Sequence, residues 1–232
     1  MAARAPVMLL LGFGSNVGHS VSDAFAAKGY IVARASRKMK EEDSTATQIN
    51  FSIDLSDPES VVGVFSTLKD THGLPSVVVY NAGAGIPPND PRDPLSVPLA
   101  NFTRDLNINT ISAFVAAQQA VLGFGQLPPT ASRTFIFTGN ILNVTIIASL
   151  LNSGVGKSAT AHFIRSAASA YNDRGYKFYY ADERNADGSP AYHKIDGPAH
   201  GEFYTHLAED RSQGPWQQTF VKGLGYKHFP NA

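Results

Sequence analysis

Short, uninterrupted apolar runs separated by longer stretches of helical period are the feature of this sequence that leaves the fewest folds open. Val7–Leu11, Tyr30–Ala35, Pro75–Tyr80, Thr134–Thr138 and Tyr176–Tyr180 read as strands, rich in Val, Ile, Phe and Tyr. They are continuously apolar rather than alternating, as strands are when helices cover both faces of a parallel sheet. Gln48–Ile53 is more polar and reads as a sixth strand nearer an edge. Between them, Val17–Lys28, Pro58–Asp70, Phe102–Phe124 and Ser158–Tyr171 carry helical period, and Asp57-Pro58 offers an N-cap followed by a first-turn proline. This alternation predicts an α/β fold, a doubly wound parallel sheet with helices on both faces.

A chain of 232 residues suits one such domain, spanning 1–232, and is long enough to bury a core without staples. The absence of cysteine excludes disulfides, zinc–thiolate sites and a Cys nucleophile. Nineteen basic side chains balance nineteen acidic ones, which argues against nucleic acid as a partner. The longest apolar runs are too short to span a bilayer, and the opening Met-Ala-Ala-Arg-Ala-Pro has no signal-cleavage pattern. The expectation is a soluble cytoplasmic protein acting on a small molecule, with no membrane partner. Helical and strand period fade after Ala181. Asp182–Gly201 is polar with no evident element, and such long loops are functional or mobile. Glu202–Ala208 and Trp216–Val221 read as short amphipathic segments.

The first apolar run ends in Gly12-Phe13-Gly14-Ser15-Asn16-Val17-Gly18 and feeds directly into a helix. Glycines there let the backbone turn tightly and approach a pyrophosphate, which the helix N-terminal amides then hold. Val17 stands where the third glycine of the common Gly-x-Gly-x-x-Gly pattern falls.

These residues resemble the short-chain dehydrogenase/reductase family, a Rossmann-type fold whose turn reads Gly-x-x-x-Gly-x-Gly. Gly12, Asn16 and Gly18 fall on its three places, with Asn16 expected to keep a small polar group facing the phosphates. Gly29 matches the glycine before the second strand, and Asp54, followed by Leu55, matches the acidic residue beside the adenine. Asn81-Ala82-Gly83 matches the family's Asn-Ala-Gly signature beside the cofactor, and Asn109 matches the helix asparagine that organises a proton-relay water. By the same resemblance, Ser15 and Val17 belong to the cofactor turn.

Nucleotide preference is legible at the end of the second strand. Enzymes of this fold that use NAD place a carboxylate there to bind the ribose hydroxyls. This chain has Ser36-Arg37-Lys38, a hydroxyl and a guanidinium suited to a 2′-phosphate, so NADP(H) is favoured over NAD(H). A solvated basic loop is the plainer alternative.

The resemblance implies a Tyr four residues before a Lys, and a Ser thirteen residues before that Tyr. Lys157 fits the lysine, but the other two positions hold Ser153 and Asn140. A phenol with a pKa of about 10 is tunable by a neighbouring ammonium, whereas an aliphatic hydroxyl is a far weaker acid. Asn140 retains a hydrogen-bond donor for an oxyanion. Thr138, the nearest hydroxyl, is expected on the other side of the strand. The catalytic candidates are therefore Asn109, Asn140, Ser153 and Lys157, and the lysine also has a role on the nicotinamide ribose. Gly154-Val155-Gly156-Lys157-Ser158 mimics the end of a P-loop, but Leu151 stands where its first glycine belongs.

Where the family has Pro-Gly after its sixth strand, this chain has Ala181-Asp182-Glu183-Arg184. Asp182 or Glu183 would serve as general acid or base if burial raised its pKa; a surface salt-bridge cluster is the alternative. Residues 182–209 fall where the family has its substrate lid, which makes Tyr192, His200 and Tyr204 substrate candidates by location. His200 and His206 lie on different helical faces, and no metal site is expected. The functional expectation is an atypical NADP(H)-dependent reductase of a small carbonyl or enone. Alternatives are a non-redox enzyme on the same scaffold and a catalytically inactive NADP-binding regulator. A homodimer or homotetramer through Phe102–Phe124 and Ser158–Tyr171 is a further implication of the resemblance.

Overall fold

A computed structural model describes residues 5–230; the first four residues of the N-terminal Met-Ala-Ala-Arg-Ala-Pro segment lie outside it. Eight strands form one sheet in the order β3-β2-β1-β4-β5-β6-β7-β8. These are β1 (Val7–Leu11), β2 (Ile31–Ser36), β3 (Gln48–Ser52), β4 (Pro75–Tyr80), β5 (Thr134–Thr138), β6 (Lys177–Glu183), β7 (Gln217–Val221) and β8 (Gly225–Tyr226). All pairings are parallel except β7 with β8. The helices are α1 (Val17–Ala27), α2 (Glu59–Thr71), α3 (Leu99–Leu106), α4 (Ser112–Phe124), α5 (Leu151–Ala170) and α6 (Gly197–Glu209).

The continuous apolar strands have a simple cause: period two sends alternate residues into two different cores. In β1, Leu9 and Leu11 join a cluster closed by α2, α4 and α5, including Phe65, Ala116 and Ile164. Met8 and Leu10 join a second cluster closed by α1 and α6, including Phe25, Phe203 and Tyr204. The chain runs outward from β1 to the edge strand β3 and then crosses back to β4. The strand order therefore reverses beside β1, and a crevice opens at the carboxyl ends of β1 and β4, where ligands of such sheets bind.

Four sequence expectations shift. The segment Phe102–Phe124 is not one uniform helix: α3 begins at Leu99, and a π-helical turn at Asn107–Ile111 separates it from α4. The wider turn frees backbone carbonyls, which side chains claim; the Thr160 hydroxyl donates to Asn109 O at 2.8 Å and the Tyr80 hydroxyl to Ile108 O at 2.5 Å. The helix expected from Ser158 begins at Leu151, so Ser153, Lys157 and the P-loop-like stretch all lie inside α5. Strand β6 runs on to Glu183, because helices cover both of its faces and bury even charged side chains there. Trp216–Val221, read as an amphipathic segment, supplies strand β7, and Asp182–Gly201 contributes the end of β6 and the first turns of α6. No helix among the described residues is long and apolar enough to cross a membrane.

Candidate active site

A cavity of about 620 Å³ opens at the carboxyl ends of these strands, running from the glycine-rich turn past β4 and β5 to the end of β6. At one end stand Gly14–Gly18, where no side chain caps α1, so its first N–H groups are available to an anion. The turn is tight for a stated reason. Gly12 has φ +96°, and a Cβ there would stand 2.4 Å from Ala82 N. The Asn81 amide closes the same contact by donating to Gly12 O at 2.9 Å.

Asn16 lines the cavity with the rest of the turn, but its side-chain amide, expected to face the phosphates, is engaged by the chain that enters α6. Its Nδ2 donates to Ile195 O at 2.9 Å and its Oδ1 accepts from Gly197 N at 3.0 Å, pinning the entry to α6 against the turn. Asn81, Ala82 and Gly83 line the cavity with Ser15, Val17 and Gly18. Ser36 ends β2 and Arg37 follows it, both outside the cavity, with Arg37 exposed and no acidic residue at the strand end. Asp54 is exposed nearby; it caps Ser56 N at 3.0 Å, and that hydrogen bond, with the Ser56 hydroxyl and the more distant Arg37 charge, lowers its pKa. The Leu55 side chain is core.

The four catalytic candidates separate into two pairs. Lys157 and Asn140 line the cavity, whereas Asn109 and Ser153 stand behind the chain that follows β4. Both Asn109 amide groups are engaged by one residue: Nδ2 donates to Ala84 O at 2.7 Å, and Oδ1 accepts from Ala84 N at 3.0 Å. The Ser153 hydroxyl donates to the same carbonyl at 2.9 Å, and a Cβ on Gly85 would come within 2.3 Å of it. A phenol at this position would have to displace Ala84 and Gly85. Ile86 N is held in turn by the buried Asp105 carboxylate at 2.7 Å, with Asn152 donating to both Asp105 and Ile86 O.

The Lys157 Nζ, 94 % buried, donates to Thr138 O at 3.0 Å and lies 4.4 Å from the Phe137 ring centre. Burial lowers its pKa to about 8, against the attraction of Asp182. Asn140 Oδ1 caps the short turn that follows β5, accepting from Leu142 N at 3.0 Å, which leaves Nδ2 without a partner among the described residues. Thr138 lines the cavity, and its Oγ1 accepts from the Tyr204 hydroxyl at 2.9 Å. Tyr204 itself belongs to the core under α6 and does not reach the cavity.

At the far end, period two separates the neighbouring acids of β6. Asp182 shares the face of Phe178 and Tyr180, towards α5, and binds Arg184 Nε at 2.5 Å. It is a buried pair, not the surface cluster considered from sequence; burial raises the Asp182 pKa to about 6, although Arg184 pulls it down. Glu183 shares the face of Tyr179 and Ala181, towards α6. Its Oε2 accepts from Asp196 N at 2.8 Å and lies 3.5 Å from His200 Nδ1, and burial raises its pKa. His200 donates from Nδ1 to Asp196 O at 2.8 Å, and burial lowers its pKa, against the pull of Asp196. Tyr192 is a half-exposed rim residue in the same cavity.

One wall has no counterpart among the sequence candidates. Ile141, Leu142, Ile147 and Leu150 form an apolar side of the cavity from the segment between β5 and α5. The signal was an apolar stretch that has neither strand nor helix period.

The chain matches the family profile described as Enoyl-(Acyl carrier protein) reductase over residues 12–179. It is 46% identical over 237 residues to the short chain dehydrogenase/reductase dmxR12 of Cryptosporiopsis sp. (strain 8999), covering 97% of this chain and 96% of that protein. This chain belongs to the short-chain dehydrogenase/reductase family. Solved structures share its fold at much lower identity. ElxO with NADP bound superposes with a TM-score of 0.78 at 15% identity, covering 94% of this chain and 97% of that one. A short-chain dehydrogenase/reductase family oxidoreductase from Brucella ovis, with a partially ordered NAD, gives 0.71 at 17%, covering 93% and 99%. This reductase-family chain therefore shares its scaffold with holders of either nicotinamide dinucleotide. The free α1 amides, the Gly12–Ala82 approach and the open cavity together fit such a group.

Proposed function

We propose that this short-chain dehydrogenase/reductase binds NADP(H) in preference to NAD(H) and reduces a small carbonyl or enone. The observation that carries the reading is one continuous cavity joining the uncapped α1 N-terminus to Lys157 and Asn140. The α1 amides and Gly14–Gly18 would hold the pyrophosphate, Ser36 and Arg37 the 2′-phosphate, and Lys157 the nicotinamide ribose. NADPH supplies a hydride when bound. Asn140 Nδ2, free of other partners, is placed to donate to a developing oxyanion. The Ser153 hydroxyl is engaged by Ala84 and lies outside the cavity, so this is an atypical member in which no phenol at position 153 delivers the proton. That favours an activated carbon–carbon double bond, whose carbon accepts a proton after hydride arrives. Of residues 182–209, the ends belong to β6 and α6, and the stretch 190–195 that lines the cavity would serve as the substrate lid. Phe114 and Leu122 on α4, exposed beside Phe163 of α5, suit a homodimer or homotetramer seam.

The experiment is a titration of the purified protein with NADPH and NADH by nicotinamide fluorescence, followed by a panel of carbonyls and enones. Tight NADPH binding with oxidation by one member is expected. Tight binding without turnover would move the reading to a non-redox or NADP-sensing role, which the engaged Ser153 hydroxyl also fits. Failure to bind either nucleotide would overturn the cofactor assignment.

A further inference from the structure

We infer that Glu183 is the acid that protonates the substrate in this cavity, the role left open by Ser153. The inference rests on the reductase reading above. Glu183 is 93 % buried, lines the cavity, and uses one carboxyl oxygen, Oε2, on the Asp196 amide. Its other oxygen, Oε1, has no partner among the described residues, so a proton there is free to move to a ligand.

Each neighbouring group is less suited. Burial raises the Asp182 pKa to about 6, but its Oδ2 is held by the Arg184 guanidinium at 2.5 Å, so this carboxyl is engaged in an ion pair. His200 commits its Nδ1 proton to Asp196 O, and burial lowers its pKa, which disfavours a second proton on Nε2. Tyr204 donates to Thr138 Oγ1 and stays in the core. Lys157 donates to Thr138 O from the α5 face. The titratable groups facing Glu183 are Asp182 on its own strand, Asp196 and the His200 imidazole at the start of α6, and Lys222 after β7. Burial and the two aspartates favour the neutral carboxyl, while the Asp196 amide and Lys222 oppose it, and the balance lies above the usual carboxylate range.

The step balances simply. A bound reduced nicotinamide dinucleotide would supply the hydride that the substrate carbon accepts as its C=O or C=C π bond breaks. The Oε1–H bond of Glu183 breaks as an O–H or C–H bond forms on the substrate. Glu183 is left as a carboxylate and is reprotonated from solvent.

Glu183→Gln keeps an oxygen to accept from Asp196 N and removes only the acid. NADPH affinity should stay within about twofold, while turnover falls by about a hundredfold or more, the usual loss of a general acid. Wild-type kcat should fall as pH rises above the ordinary carboxylate range, and this limb should be absent from Glu183→Gln. Infrared difference spectra of the protein without substrate should show a neutral carboxyl band that the variant lacks. Glu183→Asp, keeping the carboxyl, should retain the band and recover part of the rate; it also carries the test if the Gln variant does not fold. Unchanged turnover with the limb intact would overturn the proposal and leave the reductase reading standing. Loss of NADPH binding in Glu183→Gln would overturn it in favour of a cofactor-positioning role. A wild-type protein that binds NADPH and reduces nothing would overturn both.

Discussion

Two buried lysines mark opposite ends of the sheet, and burial lowers the pKa of both while their donors go to different partners. Lys157, at the carboxyl ends of the strands, and Lys177, at the start of β6, are each brought down to about 8 by burial, opposed by Asp182 and by Asp210 respectively. Lys177 donates to Leu207 O at 3.0 Å, to Ala208 O at 2.9 Å and to Asp210 O. All three of its donors go to the carbonyls that end α6, as a helix C-terminus requires. Lys157 has one hydrogen-bond acceptor among the described residues, Thr138 O, and borders the cavity. A perturbed pKa therefore does not identify a functional lysine; unused donors beside a cavity do.

Single substitutions can break this comparison. Lys177→Met should be the costliest, lowering stability by about 3 kcal/mol, because it strands the α6 carbonyls in a buried place. Denaturant unfolding measures this, and an unchanged midpoint would deny Lys177 its structural role. Lys157→Met should leave stability within about 1 kcal/mol, since removing a partly unsatisfied buried charge also removes its desolvation cost. It should weaken NADPH by about 2 kcal/mol, or about thirtyfold, through the lost charged hydrogen bonds.

The pH dependence sharpens the same contrast. The Lys157 ammonium is present below its pKa of about 8 and lost above it, so NADPH affinity should fall as pH rises through 8. Lys157→Met should lack that limb, and Lys177→Met, measured where it stays folded, should keep it. Because both lysines titrate near 8 when folded and at 10.5 in the reference state, the unfolded chain binds more protons between those values. These two groups should thus make stability rise with pH above 8, and each methionine variant should flatten that rise.

Smaller effects are expected at the other end of the cavity. Arg37→Ala should weaken NADPH about tenfold more than NADH; equal losses would remove the 2′-phosphate assignment. Asn16→Gly, which restores the glycine of the family turn, should leave NADPH affinity within about threefold but free Ile195 and Gly197. Amide hydrogen exchange over residues 185–196 should then rise several-fold. Unchanged exchange would show that Asn16 does not hold that segment.

The fold was legible because its signals are local and repeated. Apolar runs, a glycine-rich turn before a helix and short loop motifs each report on a few consecutive residues, and together they specify the strands around β1. Lys157 and the Asn81–Gly83 stretch were legible for the same reason, through motif spacing. Ser153 kept its place in the motif, but its hydroxyl went to Ala84 O, 69 residues away, a contact no spacing encodes. Asn16 likewise bonds Gly197 across 181 residues, a partner that its place in the turn does not encode.

The strand and helix pattern by itself determined the parallel sheet, the crevice at its carboxyl edge and the glycine-rich turn at one end of it, because period and turn chemistry are properties of neighbouring residues. Only the tertiary structure decided which polar groups remain free in that crevice. Asp182 and Glu183 are adjacent in sequence, yet one faces Arg184 and the other His200, and their protonation follows from the elements packed on each side. Desolvation and long-range hydrogen bonding exist only once the chain has closed on itself, so the acid–base character of this site is a property of the fold.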